Sequence, residues 1–395
     1  MASDPAALSR IPLCEPVLRG REWEYVKECL DTNWVSSVGP FVTRFERELA
    51  DRIGRRFGVA VVNGTAALHV ALLIAGVQPD DEVVMPTLTF IAPANAVRYV
   101  GACPVFIDVE PDYWQLDLDK LTSFITGGCE WRGGALRNRA TGRRVKAILP
   151  VDLLGHPVDM TPIVDLARSR DLAVVEDATE SLGAEYRSEP VGRLSDVACL
   201  SFNGNKIITS GGGGLVLTDN ERWAERARYL TTQAKNDPIE YVHHEIGYNY
   251  RLTNVQAALG VAQLEHLGEC VERKRAIARG YAEALAHVPG VTTMREAPWA
   301  RHSYWLSTIL LQEQTFGHSS RELLGLLAAD GIDSRPLWQP LHLSPAHRGA
   351  FAGACETAER LYAEALSLPS SVNMTSADQQ RVVDAVVRQQ RLLSA

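Results

Sequence analysis

Seven short apolar runs separated by stretches of helical spacing constrain this chain most: FGVAVV (57–62), EVVMP (82–86), CPVFIDV (103–109), VKAILPV (145–151), LAVV (172–175), VACLSF (197–202) and LVL (215–217). Runs of this kind, without polar alternation, are buried on both faces, which demands a mostly parallel sheet between layers of helices. Ligands of such sheets gather outside the carboxyl ends of the strands. The expectation is an α/β fold whose chemistry lies where these runs end.

Three run ends carry reactive or ligand-holding groups. After 57–62 come Asn63, Gly64 and Thr65 and then a helical stretch from Ala66. Unpaired N–H groups at such a helix start could hold a phosphate, or Thr65 could simply cap the helix. The run 172–175 ends at Glu176 and Asp177, a carboxylate that could hold a ligand proton or cap the next helix. The run 197–202 leads through Ser201 and Asn203 to Lys206, then to four glycines, 211–214. A lysine leaving the core there is a candidate for nucleophilic amine chemistry, because desolvation disfavours the ammonium form. Phe90 follows the run 82–86 and could stack on a flat ring or pack in the core.

Past residue 253 the pattern changes. Thr253 or Asn254 can cap a long Ala- and Leu-rich helical tract reaching about residue 287. A half-buried strand over 303–311, a capping box at Ser319 and Glu322, a strand within 331–336 and helices over 354–366 and 377–393 then suggest an α+β domain. We expect residues 1–255 to form a large domain and 256–395 an interdomain helix with a smaller C-terminal domain. The segment 127–144 holds five arginines, at 132, 137, 139, 143 and 144. A solvated hairpin is the expected outcome for it.

Composition removes other classes. A formal net charge of -8 disfavours a general nucleic-acid binder. No run is long enough to span a bilayer, and residues 1–10 lack the charged start and apolar core of a signal peptide, so a cytoplasmic protein is expected. The seven cysteines form no C-x-x-C pair and the ten histidines no H-E-x-x-H, so no disulfide and no metal site is expected. No G-x-G-x-x-G follows the first strand, which argues against a dinucleotide site. A stacking face, a phosphate cradle, an anion for a ring nitrogen and an amine for an aldehyde are the needs of pyridoxal phosphate.

Six blocks carry a family resemblance in order: NGTAAL (63–68), PTLTF (86–90), EDATESLG (176–183), SFNGNK (201–206), the glycines 211–214 and YNYRLTN (248–254). With PLH (340–342), they resemble the signature blocks of the nucleotide-sugar aminotransferases, pyridoxal-phosphate enzymes of fold type I. The resemblance implies a Schiff-base lysine at Lys206, a pyridine-nitrogen partner at Asp177 and a stacking ring at Phe90. It also implies phosphate contacts from Gly64, Thr65, the Ala66 N–H and Ser201. Glu180 and Asn203 fall in the cofactor blocks, and Asn249 matches a residue reaching the phosphate from the second subunit of a homodimer. Trp34, Arg335 and His342 are the expected sugar-nucleotide contacts, and L-glutamate the expected amino donor. Many relatives have Gln or His at the Glu180 position and His at the Asp152 position. The blocks 32–39 and 176–183 most resemble the branch that aminates C4 of UDP-linked 4-keto-6-deoxy-N-acetylglucosamine. An aminotransferase for a dTDP- or GDP-linked keto sugar is the alternative. A sugar dehydratase, which typically carries histidine in place of Lys206, or a non-catalytic sensor is a weaker one.

Overall fold

The computed structural model describes residues 9–237 and 239–390. The apolar runs become the main sheet: β1 (Phe57–Val61), β2 (Glu82–Pro86), β3 (Cys103–Ile107), β4 (Val145–Ile148), β5 (Ala173–Asp177), β6 (Val197–Ser201) and β7 (Gly214–Thr218). Their spatial order is β1-β7-β6-β5-β4-β2-β3, and the two-residue strand Phe351–Ala352 extends the far edge. All neighbours are parallel except β7, which is antiparallel to both β1 and β6.

Helices cover both faces, as strands without polar alternation require. Gly64–Ile74, Ala92–Tyr99 and Glu221–Thr231 bury Leu68, Leu72, Val97 and Ala227 on one side. On the other, Pro40–Ile53 and Asn254–Leu264 pack Phe45, Leu49 and Val261 beneath Leu200 and Leu215. Antiparallel β7 brings Gly214 opposite Val61. A β-carbon on Gly214 would come within 2.4 Å of the Asn63 carbonyl oxygen, so the glycine lets the first strand turn into its helix.

The C-terminal part is an antiparallel sheet, ordered Val291–Thr293, Ser307–Leu311, Ala365–Leu368 and Arg335–Pro336. Helices Leu267–Leu285, Ser320–Ala329 and Ser376–Gln389 close its core around Tyr281, Phe316 and Val382. The chain near its start joins this part: Ile11 N–H donates to the Gly331 carbonyl, and the Ile11 carbonyl accepts from Asp333.

Four expectations change. The tract from 254 is two helices, Asn254–Leu264 and Leu267–Leu285, parted at Glu265 and His266, with Thr253 as the cap. The helix expected over 354–366 stops at Glu364, and Ala365–Leu368 is a strand buried on both faces. The expected strand within 331–336 shrinks to Arg335–Pro336. The last helix ends at Gln389, and residues 391–393 of its expected span lie outside the described residues, as do residues 1–8 of the segment read for a signal peptide. The arginine-rich segment is the hairpin Cys129–Arg132 and Ala135–Asn138, where Arg139 pairs with Glu130 and Arg144 with Asp81.

Candidate active site

β5 and β6 are parallel neighbours with Asp177 in register with Cys199, so Asp177 and Ser201 end on one edge of the sheet. Beyond Ser201 the chain makes an excursion closed at its base, with Phe202 N–H on the Gly213 carbonyl and Ser210 N–H on the Phe202 carbonyl. Lys206 rides on it, its N–H donating to the Asn203 carbonyl. At the next strand end, β1 passes through Asn63, whose side chain accepts from the Ala66 N–H at 2.8 Å and caps the helix Gly64–Ile74.

These ends surround a cavity of about 400 Å³. Gly64, Thr65, Phe90, Glu180, Ser201, Asn203, Lys206 and Arg335 all line it. Asp177 is not among the lining residues; it is buried just ahead of Thr179 and Glu180, which are, and its Oδ1 accepts from the Thr179 N–H at 3.1 Å. Lys206 Nζ lies 3.9 Å from Glu180 Oε1, both side chains being largely buried. Burial pushes the Glu180 carboxyl up to about 7, against the pull of the Lys206 ammonium and the Leu154 N–H. Burial also raises the Asp177 carboxyl, opposed by its hydrogen bonds to Thr179 and by Lys206.

Other expected contacts fall elsewhere. The Ala66 N–H is committed to Asn63, so the helix start presents the N–H groups of Gly64 and Thr65. The capping residue is Asn63, where Thr65 had been the alternative reading. His342 does not line the cavity; its Nδ1 meets Thr87 Oγ1 at 2.7 Å and its Nε2 meets Glu359 at 3.1 Å. Trp34 and Asn249 are exposed and lie off the cavity of this chain.

Trp305 went unnoticed in the sequence. Its ring lies under Lys206 Nζ at 4.1 Å, and it stacks with Trp338 at 6.3 Å, which in turn meets Phe90 edge-on at 6.2 Å. Nothing local marks Trp305, which is 99 positions from Lys206 and simply precedes an apolar strand.

The residues present fit pyridoxal phosphate. Thr65 and Ser201 line the cavity, and among the described residues their hydroxyls bond to no protein group and the Gly64 and Thr65 N–H groups have no protein acceptor. A β-carbon on Gly64 would stand 2.8 Å from Ser201 Cβ, so glycine is what lets the helix start meet the end of β6. A buried carboxylate without an ion-pair partner among the described residues waits at Asp177, where a cationic ring nitrogen would offset its desolvation. An amine, an anion cradle and a buried carboxylate on this fold define the class: a pyridoxal-phosphate-dependent enzyme.

Residues 16–387 match the DegT/DnrJ/EryC1/StrS aminotransferase family, and the chain belongs to it. It is 40% identical over 380 residues to a GDP-perosamine synthase of Caulobacter vibrioides, covering 96% of this chain and 98% of that protein. It is 38% identical to the GDP-perosamine synthase of Escherichia coli O157:H7, covering 93% and 94% of the two chains. The crystal structure of S. venezuelae DesV in complex with a ketimine intermediate superimposes with a TM-score of 0.86 at 32% identity, covering 98% of this chain and all of that one. The protein is a nucleotide-sugar aminotransferase.

Proposed function

We propose that this enzyme moves the amino group of L-glutamate to C4 of a nucleotide-linked 4-keto-6-deoxy sugar, giving the 4-amino sugar. The observation that carries the reading is the meeting of the Lys206 amine and the open Gly64–Thr65–Ser201 cradle at one cavity, with Asp177 buried behind its wall within the electrostatic reach of Lys206. The blocks 32–39 and 176–183 support a UDP-linked N-acetylglucosamine derivative. The shared name of two relatives matched over almost their whole length favours the GDP-linked sugar, and we adopt it as the first substrate to test.

The residues divide the work as follows. Gly64, Thr65 and Ser201, with the Ala66 end of the helix dipole behind them, hold the phosphate. Phe90 stacks on the ring, and Asn203 supports the Lys206 turn. Asp177 keeps the ring nitrogen protonated. Pyridoxal phosphate, when bound, supplies an aldehyde that captures amines and a ring that accepts the electron pair left at the donor Cα. Lys206 would move the proton between that Cα and the cofactor C4′, first for glutamate and in reverse for the sugar. Arg335, which lines the cavity, and Trp34 contact the sugar nucleotide; His342, held by Thr87 and Glu359 outside the cavity, is left out of this role. The unit is a cytoplasmic homodimer in which the partner subunit's Asn249 reaches the phosphate. Residues 1–255 bind the cofactor, and 256–395 complete the smaller domain.

The test is product analysis by NMR after incubation with glutamate and a panel of GDP-, UDP- and dTDP-linked 3-keto and 4-keto sugars. Amination at C4 of the GDP-linked 4-keto-6-deoxy sugar is expected to be fastest. Turnover confined to 3-keto sugars would sink the reading. Purified protein should be yellow, and Lys206→Ala should lose the bound chromophore's aldimine.

A further inference from the structure

We propose that Glu180 is the proton partner of Lys206: it takes the proton from the lysine ammonium, leaving a neutral amine and a neutral carboxylic acid, and later returns it. The inference rests on Lys206 being the reacting amine and holds whichever nucleotide the sugar carries.

The geometry is unusually committed to this carboxyl. Glu180 Oε2 accepts from the Leu154 N–H at 2.7 Å. To aim that N–H, the backbone takes φ of 59° at Leu154 and 92° at Gly155. A non-glycine residue in the left-handed region is strained and persists there only where its surroundings enforce it, and such strain gathers at functional sites. The enforcement is visible: a β-carbon on Gly155 would meet Ser303 Oγ at 2.3 Å and the Glu180 carbonyl oxygen at 3.0 Å. One oxygen is therefore fixed, and Oε1 is left facing Lys206 Nζ at 3.9 Å. That gap is one side-chain rotation or one water from hydrogen-bond reach.

Few other groups compete. The charged groups acting on Glu180 are Lys206 and Asp177, and Asp177 is engaged by Thr179. The indole of Trp305 occupies another side of the amine and accepts no proton. Burial that lifts Glu180 to about 7 leaves both its forms accessible at neutral pH, which suits a group exchanging a proton there. Glutamine at this position would offer hydrogen bonds and no proton affinity.

The consequence can be read without turnover. Two groups sharing one proton titrate as a pair. Between the pH at which Glu180 loses its proton beside an ammonium and the higher pH at which it loses it beside a free amine, the tautomer with a free amine is a fixed fraction and supplies most of the free amine, so amine reactivity is flat in pH. A lone lysine instead gains about tenfold in reactivity per pH unit below its own titration. Full-length protein stripped of cofactor is pulsed with acetic anhydride from pH 5.5 to 9, and acetylation of Lys206 is quantified by mass spectrometry, with exposed Lys27 as the reference. The expected profile for Lys206 rises, flattens near neutrality and rises again. In Glu180→Gln it climbs through the whole range without the flat segment, because the amide still accepts from Leu154 and cannot take a proton. A wild-type profile of unit slope through neutrality overturns the proposal whether or not the variant folds, and so does a flat segment retained in Glu180→Gln. An aldimine retained by Lys206→Ala would instead overturn the assignment of the amine itself.

Discussion

Trp305 ties the C-terminal sheet to the reactive lysine: its ring stands 4.1 Å from Lys206 Nζ, and its indole N–H donates to the Asn205 carbonyl at 2.6 Å. The residue next to the lysine is thus held by a side chain just ahead of the strand Ser307–Leu311. The Trp305 carbonyl is itself anchored, accepting from buried Lys274 Nζ at 2.8 Å. Trp305→Phe keeps the ring and deletes the N–H, leaving the Asn205 carbonyl without this donor. We expect a stability loss of about 1 kcal/mol and weaker cofactor retention during dialysis. Trp305→Ala also opens a cavity and should cost about 3–5 kcal/mol. Urea unfolding of the two variants checks this; an alanine variant as stable as wild type would refute the anchoring role.

Much of this architecture is legible in the sequence, and the exceptions have physical causes. The runs that became β1 to β7 are continuous apolar segments, which only a strand covered on both sides tolerates. Lys206, Ser201, Gly64 and Asp177 each sit within a few residues of a run's end, so strand order alone brings them to one edge. Ala365–Leu368 misleads because Ala, Leu, Ser and Leu suit a helix as well as a strand. Its pairing with Ser307–Leu311 and Arg335–Pro336 decides the matter, and that is tertiary information. The break at Glu265 and His266 has no glycine or proline of its own, and the nearby Gly268 already lies inside the next helix. It falls where Tyr25 Oη, from the helix Glu22–Asp31, and Arg44, from Pro40–Ile53, converge on the Glu265 carboxylate. Trp305 is invisible for the same reason: its role depends on how two remote parts of the chain pack.

Asp152 should be a carboxylic acid in the folded protein. It is buried, with Oδ1 accepting from the Val158 N–H at 3.0 Å and Oδ2 sharing a hydrogen bond with Ser181 Oγ at 2.6 Å. Burial above all, and then the charge of Glu176, push its carboxyl well above the ordinary range. The sign follows. An unfolded aspartate loses its proton near pH ~4, whereas the folded one keeps it. Rising pH therefore favours the unfolded state, by up to about 1.4 kcal/mol per unit, until the folded group ionises. An asparagine in its place would have no proton to lose; the amide oxygen can accept from Val158 and the NH₂ can donate to Ser181. Asp152→Asn should therefore match wild type near pH 4.5 and melt at a higher temperature than wild type at pH 8. Thermal unfolding at the two pH values checks this, and a gap that shrinks as pH rises would contradict it.

Asn254 supplies a cap that local sequence does not. The helix Pro40–Ile53 begins after Gly39, which has no side chain to cap it. Asn254 Oδ1 fills the gap from 213 positions away, accepting from the Phe41 N–H at 2.9 Å and the Val42 N–H at 3.3 Å. Its Nδ2 donates to the Trp34 carbonyl at 2.8 Å, fixing the segment that carries a proposed substrate contact. Gly39 permits the approach, since a β-carbon there would overlap the Asn254 amide at 2.3 Å. Asn254→Ala strands two buried helix-start donors and the Trp34 carbonyl together, and should cost about 2–4 kcal/mol. Asn254→Asp keeps an acceptor for the helix, which the dipole favours, yet turns a carboxylate oxygen toward the Trp34 carbonyl. It should fall between wild type and alanine in stability while loosening the 32–39 segment as much as alanine does. Limited proteolysis within 32–39, read beside the melting temperatures, separates the two effects. If Asn254→Asp left that segment as resistant as wild type, the Nδ2 bond to Trp34 would not be what holds it.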